Sequence, residues 1–156
     1  MENIKQKIFN KEDILPEIIN KNIVFTNGCF DILHPGHLNY LMEAKKLGEV
    51  LVVGLNSDAS ISKIKGKNRP INDFVYRSIM LAGYAFIDYV IEFDHDTPID
   101  LIKKIKPYIL VKGADYKVEE IVGADFVINN GGQVVLLDFI NGYSSTKVIE
   151  KINQSN

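Results

Sequence analysis

The sequence predicts an α/β fold in which a doubly wound, mostly parallel sheet carries helices on both faces. The first indication is a set of short, almost wholly apolar runs such as "NIVFTN", typical of strands buried on both faces. The second is that these runs alternate with segments whose apolar residues recur at helical spacing. No linker, low-complexity tract or composition shift interrupts the alternation, so residues 1–156 are predicted to form a single domain.

The bulk composition limits the classes of function. The chain has 156 residues, of which 46% are hydrophobic and 24% charged, enough to bury a real core. A net charge of −2 lacks the basic excess that binding to a long phosphate backbone needs, so we expect no nucleic-acid partner. A lone cysteine, no evident leader, and no apolar run approaching the roughly 20 residues of a membrane helix predict a soluble, cytoplasmic protein without a membrane partner.

Each predicted element has its own local signal. The lead-in, residues 1–21, contains a short amphipathic helix, "DILPEII", that Asp13 can cap. The helix after the first strand has Pro35 in its first position, where the missing N–H costs nothing, and ends at Gly48. The predicted strands are "NIVFTN" (22–27), "EVLVVGLNSD" (49–58), "DYVIEF" (88–93), "YILVKG" (108–113) and "GQVVLLDF" (132–139). The other predicted helices are "NDFVYRSIMLAGYAF" (72–86, capped by Asn72 or Asp73), "TPIDLIKKI" (97–105, opened by Thr97 and Pro98), "KVEEIVGA" (117–124) and a C-terminal helix after residues 144–146.

The loops at one edge of this sheet are the predicted functional region. In open parallel sheets, ligands bind beyond the carboxyl ends of the strands. The loops at that edge are 27–37, 56–72, 94–97, 112–117 and 139–146. The chain contains neither G-x-x-x-x-G-K-[ST] nor G-x-G-x-x-G, so some other arrangement must hold any phosphate.

The tetrapeptide "HPGH" is the first candidate for that role. With Pro35 at the helix start, His34 and His37 flank a first turn whose free N–H groups and positive dipole end attract anions. Gly36 allows an anion to approach the backbone closely, and both imidazoles can donate to phosphate oxygens and become cationic beside them. Two alternatives stay open: a transition-metal site with Asp31 as third ligand, and histidines with only a structural role.

Basic side chains form the second candidate. They occupy every second position of "SKIKGKNRP", at Lys63, Lys65, Lys67 and Arg69. In an extended segment such side chains project from one side, where they could cover a phosphate group as negative charge develops on it. The alternative is a solvated basic loop.

Two further groups of polar residues lie at the same edge. One follows a strand and consists of Lys112, Gly113 and Asp115. The other precedes the C-terminal helix, as a cap or a second anion seat, and consists of Ser144, Ser145 and Thr146. Arg77 lies in a predicted helix, where it is either a surface charge or a phosphate ligand.

The motifs resemble those of a known superfamily. "GCFDILHPGH" resembles the G-x-F-D-x-x-H-x-G-H signature of the cytidylyltransferase-like nucleotidyltransferases, and "YSSTKVI" resembles their Ser/Thr-rich motif before the last helix. Over residues 12–153 the chain is most similar to the heptose 1-phosphate adenylyltransferase branch, found alone or joined to a kinase. The resemblance implies a Rossmann-like nucleotidyltransferase fold and transfer of AMP from ATP to a sugar 1-phosphate, with release of pyrophosphate, for bacterial surface glycans.

The resemblance also implies roles for individual residues. His34 and His37 would stabilise the triphosphate in the transition state, and Lys65 would neutralise phosphate charge. The residues expected to bind the nucleotide are Asn27, Gly28, Cys29, Phe30, Gly36, Lys112, Gly113, Asp115, Asn141, Ser144, Ser145 and Thr146. Those expected to bind the sugar phosphate are Asp31, Asn56, Asp58, Arg69, Arg77 and Tyr116. Mg²⁺ would be bound through the nucleotide rather than by a cage of protein ligands, and the protein would be a homodimer.

Two other functions stay open. One is CTP-dependent cytidylyl transfer to glycerol 3-phosphate or a related phospho-alcohol. Against it, residues 139–142 read "FING" where the glycerol-phosphate branch has an arginine-containing motif, so that arginine's phosphate contact has no counterpart here. The other is a nucleotide-binding module without turnover.

Overall fold

The computed structural model describes residues 1–9, 15–18, 20–138, 142 and 144–154, and it confirms the predicted parallel α/β fold. The strands are β1 (Ile8–Phe9), β2 (Ile23–Gly28), β3 (Val50–Asn56), β4 (Tyr89–Phe93), β5 (Ile109–Gly113) and β6 (Gln133–Leu137). The helices are α1 (Glu2–Lys5), α2 (Leu15–Ile18), α3 (Pro35–Lys45), α4 (Asp58–Lys65), α5 (Phe74–Ala82), α6 (Ile99–Ile105), α7 (Ala124–Asn129) and α8 (Ser145–Gln154). Within the described ranges, none of these helices combines the length and apolar character needed to span a bilayer.

The strands form one sheet in the order β1-β4-β3-β2-β5-β6, and every pairing between neighbours is parallel. Successive side chains of a strand enter opposite cores, which is why the strands read as continuous apolar runs. On β2, Val24 packs in the core that contains Leu41 of α3 and Leu81 of α5. Its neighbour Phe25 packs in the core that contains Leu101 of α6 and Val127 of α7.

The register of the central strands creates the edge at which the site lies. β2 and β3 pair in register from Ile23 opposite Val50 to Gly28 opposite Leu55, so the two strands end side by side. The chain order switches direction across β2, because β3 and β5 lie on its two sides. The loops after β2, β3 and β5 therefore emerge together at a switch point, where ligands bind in such sheets.

Four elements differ from the prediction in the first half of the chain, and one of them is α1 (Glu2–Lys5), which was not predicted. The lead-in contains β1, which is only two residues long and so carries no alternating pattern to reveal it. Residues 58–65 form α4 rather than a loop, because the Ser57 hydroxyl accepts from the Ser60 N–H at 3.0 Å and starts a helix. α2 occupies part of the predicted lead-in helix, while its predicted cap, Asp13, lies outside the described residues.

Three differences concern the second half. α6 begins at Ile99, one residue later than a proline in the first helical position would place it. The predicted helix over 117–124 is a single 3₁₀ turn, Val118–Glu120, and the true helix α7 comes after it. α8 begins at Ser145, so two of the three predicted cap hydroxyls lie inside its first turn.

The substitution Gly54→Ala tests how tightly the central strand β3 is packed. A Cβ at this position of β3 would lie 2.8 Å from Phe25 Cζ and 3.2 Å from Asn27 Cβ. Because a close-packed interior has no room to yield, Gly54→Ala is expected to lower the free energy of unfolding by about 1–3 kcal/mol, measured by urea denaturation.

Gly83→Ala is the matched control. Gly83 has a φ of −68°, which any residue adopts, and the nearest atom to its Cβ would be the Ile79 carbonyl oxygen at 3.3 Å. Its loss of stability is expected to be much smaller. Equal losses from both substitutions would contradict the packing argument.

Candidate active site

The start of α3 is built by the predicted "HPGH" turn. His34 is the N-cap residue, in extended backbone conformation, and Pro35 takes the first helical position. The His34 Nδ1 atom accepts from the His37 N–H at 3.4 Å, so the neutral His34 ring carries its proton on Nε2. The two imidazoles stack, with ring centroids 3.8 Å apart and planes at 20°.

Both imidazoles are neutral at pH 7 in the unliganded protein. Burial lowers the pKa of His34 below its usual value. Burial lowers the pKa of His37 to about 4, and repulsion from Lys65 and from His34, once His34 is protonated, adds to the effect. Within the described part of the chain, Nδ1 of His37 is buried without a hydrogen-bond partner. The start of α3 therefore holds an imidazole nitrogen that is available to a ligand. A bound phosphate would raise the pKa values of both His34 and His37.

A cavity of about 280 Å³ opens where β2, β5, α3 and α4 meet. Its lining residues are Asn27, Gly28, Cys29, Phe30, Asp31, His37, Tyr40, Lys65, Lys112, Gly113, Asp115, Tyr116 and Ser145. All of these except Tyr40 were predicted as site residues. Residues predicted from four separate loops therefore share one cavity, although His34, Gly36, Ser144 and Thr146 are outside its lining.

Phe30 forms the wall beside the histidines. Its backbone has a φ of 44°, unusual for a residue with a side chain, and the residue is 6% exposed. The ring meets His37 edge to face, with centroids 5.2 Å apart. A Cβ at position 28 would lie 3.1 Å from this ring, so Gly28 is what permits the ring to close over the end of β2.

Tyr40 is the cavity residue that the sequence motifs did not predict. Its hydroxyl lies 2.8 Å from Thr26 Oγ1, and the residue is 5% exposed at the cavity wall. Burial raises the pKa of this phenol well above its usual value, so it is a neutral hydrogen-bonding group at pH 7. The available signal was its position three residues after His37, which places both on one helix face.

Lys112 lies at the end of β5, opposite Asn27 of β2. Its Nζ donates to Asn27 Oδ1 at 2.6 Å and sits 5.7 Å from the centre of the Tyr116 ring. Burial lowers the pKa of Lys112 to about 8, and the Asp115 carboxylate opposes that shift. The residue therefore keeps a mostly charged ammonium in a largely desolvated position at neutral pH.

Asp31 lines the cavity, and its carboxylate is hydrogen-bonded by the chain itself. Its carboxylate accepts from the N–H groups of Ile71 and Asn72, both at 2.9 Å, and from Arg69 Nε at 2.7 Å. Burial alone would raise the pKa of Asp31, but these donors hold it below its usual value. In the folded chain Asp31 therefore anchors the loop after α4, and its predicted role in sugar-phosphate binding stays a prediction.

Arg77 is likewise internal. Its fully buried guanidinium donates to the carbonyl oxygens of Cys29 at 2.7 Å and Asn56 at 2.9 Å, and to Asp58 Oδ1 at 2.7 Å. A further bond reaches the Asn72 carbonyl at 3.0 Å. Arg77, Asn56 and Asp58 thus form a network that joins the ends of β2 and β3 to α4 and α5, and their predicted sugar-phosphate contacts stay predictions.

The four basic side chains at positions 63, 65, 67 and 69 do not form one surface. The prediction that they lie in an extended segment is wrong, because α4 includes the first two. Lys63 and Lys65 lie in the last turn of α4, where residues two apart point in different directions. Lys65 lines the cavity, whereas Lys63 Nζ lies 4.0 Å from Asp96 Oδ1. Lys67 is exposed, and Arg69 binds Asp31 while its Nη2 has no partner within the described residues.

The start of α8 approaches the cavity through one hydroxyl. Ser145 lines the cavity, and its Oγ donates to the Ile32 carbonyl at 3.1 Å. Thr146 is exposed, and Asn141 lies outside the described residues. Across the described ranges, no group of three or more His, Cys, Asp or Glu residues is arranged to hold a metal ion.

The depressed pKa of His37 predicts how stability depends on pH. Because the unfolded state binds a proton near pH 6.5 and the folded state only near pH 4, folding loses stability as pH falls through that window. Urea denaturation measures how far the free energy of unfolding falls between pH 7 and pH 4. In His37→Gln this decrease should be smaller than in the wild type by up to about 3 kcal/mol. His95→Gln, at an exposed loop residue, is the control and should keep the wild-type slope. A wild-type slope in His37→Gln would disprove the assignment.

Comparisons with known proteins agree with this geometry. The family model described as cytidylyltransferase-like matches residues 25–151. The bifunctional protein HldE of Campylobacter jejuni subsp. jejuni serotype O:2 is 55% identical over 150 residues, which is 95% of this chain and 32% of that protein. HldE of Helicobacter hepaticus is 51% identical over 155 residues, 97% of this chain and 31% of that protein. The chain thus spans about a third of the length of these relatives.

Two solved structures are similar in fold to this chain. The lipopolysaccharide core biosynthesis protein from Thermoplasma volcanium matches with a TM-score of 0.62 and 30% identity, over 80% of this chain and all of that one. Pantoate-beta-alanine ligase from Francisella tularensis matches with a TM-score of 0.57 over 97% of this chain and 75% of that one, but at 18% identity it shows only a shared fold. On the family match, the relatives and the motifs gathered at one sheet edge, the chain belongs to the cytidylyltransferase-like family.

Proposed function

We propose that this chain transfers AMP from ATP to a sugar 1-phosphate, releasing pyrophosphate. The proposed acceptor is D-glycero-D-manno-heptose 1-phosphate, and the product ADP-heptose would serve surface glycan synthesis, such as lipopolysaccharide or capsule, from the cytoplasm. The observation that carries the proposal is one cavity that combines the start of α3 and the His37 imidazole with two lysines, Lys65 and Lys112. Such a cavity suits a reaction between two phosphate-bearing substrates.

The proposed reaction needs positioning and charge rather than a base. The acceptor's phosphate oxygen is already ionised at neutral pH, so no proton has to be removed from it. Its main obstacle is repulsion between two anions brought into contact. The free N–H groups of α3 and the imidazole donors of His34 and His37 would bind the triphosphate, and Lys65 would offset its charge.

The donor set of the cavity also fits Mg²⁺ bound through phosphate oxygens. Asp115 is the one carboxylate of the described lining that Arg69 and the 71–72 backbone do not engage, so phosphates and water would supply most ligands. Bound in this way, the ion would further neutralise the triphosphate. A homodimer is proposed from the family resemblance, and sedimentation equilibrium would test it.

The histidines give the most direct mutational test. His34→Ala and His37→Ala are each expected to lower kcat by about 10²-fold or more, because each removes a donor aimed at developing negative charge. Pyrophosphate release measures the rate, and circular dichroism checks that the variants fold. His95→Ala, outside the cavity, is the control and should keep wild-type turnover. Near-normal turnover in both single variants would refute the role of the "HPGH" turn.

A substrate matrix separates the rival functions. Pyrophosphate release is measured for ATP and CTP, each against both anomers of D-glycero-D-manno-heptose 1-phosphate, other sugar 1-phosphates and glycerol 3-phosphate. The proposal expects turnover with ATP and the heptose 1-phosphate. Turnover with CTP and glycerol 3-phosphate would establish the cytidylyltransferase alternative, and nucleotide binding without turnover in any combination would establish a non-catalytic module.

A further inference from the structure

Lys112 carries an ammonium group that no carboxylate contacts within the described part of the chain. Lys45, Arg69 and Arg77 each have a carboxylate oxygen at 2.6 or 2.7 Å, whereas Lys112 forms no such ion pair with any described residue. Its hydrogen-bond partner is the neutral amide oxygen of Asn27, at 2.6 Å. An ammonium has three donors, so this bond leaves donor capacity at the cavity wall.

The environment of Lys112 makes that charge energetically costly. Its ammonium is largely desolvated, and burial lowers its pKa to about 8. Asp115 is exposed and Tyr116 contributes only a ring face at 5.7 Å. An anion entering the cavity would relieve this cost, since it would supply the missing countercharge.

The cavity has two separate cationic groups. One is Lys65 beside the start of α3, which is close enough to His37 to depress the pKa of that neutral imidazole. The other is Lys112 at the ends of β5 and β2, where the charged group that acts on it is the Asp115 carboxylate. Two substrates that both carry phosphate would place one anion at each group, while adenine and ribose are neutral.

We propose that Lys112, held by Asn27, binds the phosphate of the acceptor, and so makes the site selective for phosphorylated acceptors. This inference rests on the proposed function. In the reaction, an oxygen of the acceptor phosphate forms a bond to the α-phosphorus of ATP. The bond from that phosphorus to the β-bridging oxygen breaks, and pyrophosphate leaves with the electron pair. Lys112 keeps its proton throughout and lowers the repulsion between the two phosphates.

Lys112→Met tests the proposal, because it keeps most of the side chain's length and removes its charge. The KM for D-glycero-D-manno-heptose 1-phosphate is expected to rise about 10-fold or more, as for loss of a charged hydrogen bond, while the KM for ATP changes less than about 2-fold. Lys117→Met is the matched control, since Lys117 is exposed in the same loop and outside the cavity lining. It should leave both constants unchanged.

A second measurement needs no turnover. Calorimetry monitors binding of the same heptose 1-phosphate to protein saturated with α,β-methylene-ATP, and Lys112→Met should weaken it by the same factor as the KM. If Lys112→Met unfolds, Lys112→Gln replaces it in both measurements. If the wild-type protein shows no turnover but binds the heptose 1-phosphate in a way that depends on Lys112, the proposed function is rejected, whereas the role of Lys112 in binding phosphate is retained. If Lys112→Met raises only the KM for ATP, or leaves acceptor binding unchanged, the proposal that Lys112 binds the acceptor phosphate is disproved.

Discussion

The buried guanidinium of Arg77 is the interaction on which the rest of the site depends. It is fully enclosed, so its charge must be met by acceptors within the protein. Those acceptors are the carbonyls of Cys29 and Asn56, at the ends of two adjacent strands, and the carboxylate of Asp58 at the start of α4. One side chain thereby fixes the spacing of the loop that contains "HPGH" and the helix that carries Lys65. Arg77, for which the sequence left open a surface charge or a phosphate contact, joins the loops that border the cavity.

Asp31 provides a second tie of the same kind. Its carboxylate binds Arg69 and the backbone of residues 71–72, so the loop after α4 is anchored to the loop after β2. Because α4 ends at Lys65, anchoring the loop beyond it restricts where that lysine can lie. The two ties act on opposite ends of the same helix, which explains how a single exposed lysine reaches a cavity formed mainly by β2, α3 and β5.

The electrostatics of the cavity is set by burial rather than by a surplus of positive charge. The two imidazoles are neutral when the cavity is empty, and Lys112 is charged but poorly solvated. The cavity therefore avoids strong repulsion between its own groups, and on the proposed function it would gain favourable interactions with phosphate. On the proposed function, a chain with a net charge of −2 would in this way present a local anion site without a basic surface.

Local signals in the sequence were enough to predict the parallel α/β fold, the helix start at Pro35 and the sheet edge that carries the site. These features depend on strand and helix periodicity and on proline and capping residues, signals that act within a few residues of one another. The roles of Asp31, Arg77 and Lys112 emerged only from the folded chain. Arg77 meets Cys29 across 48 positions and Lys112 meets Asn27 across 85, so the neighbours that satisfy or desolvate each charge exist only after folding. A charged residue's identity is local information, whereas its partner, and hence its role, is not.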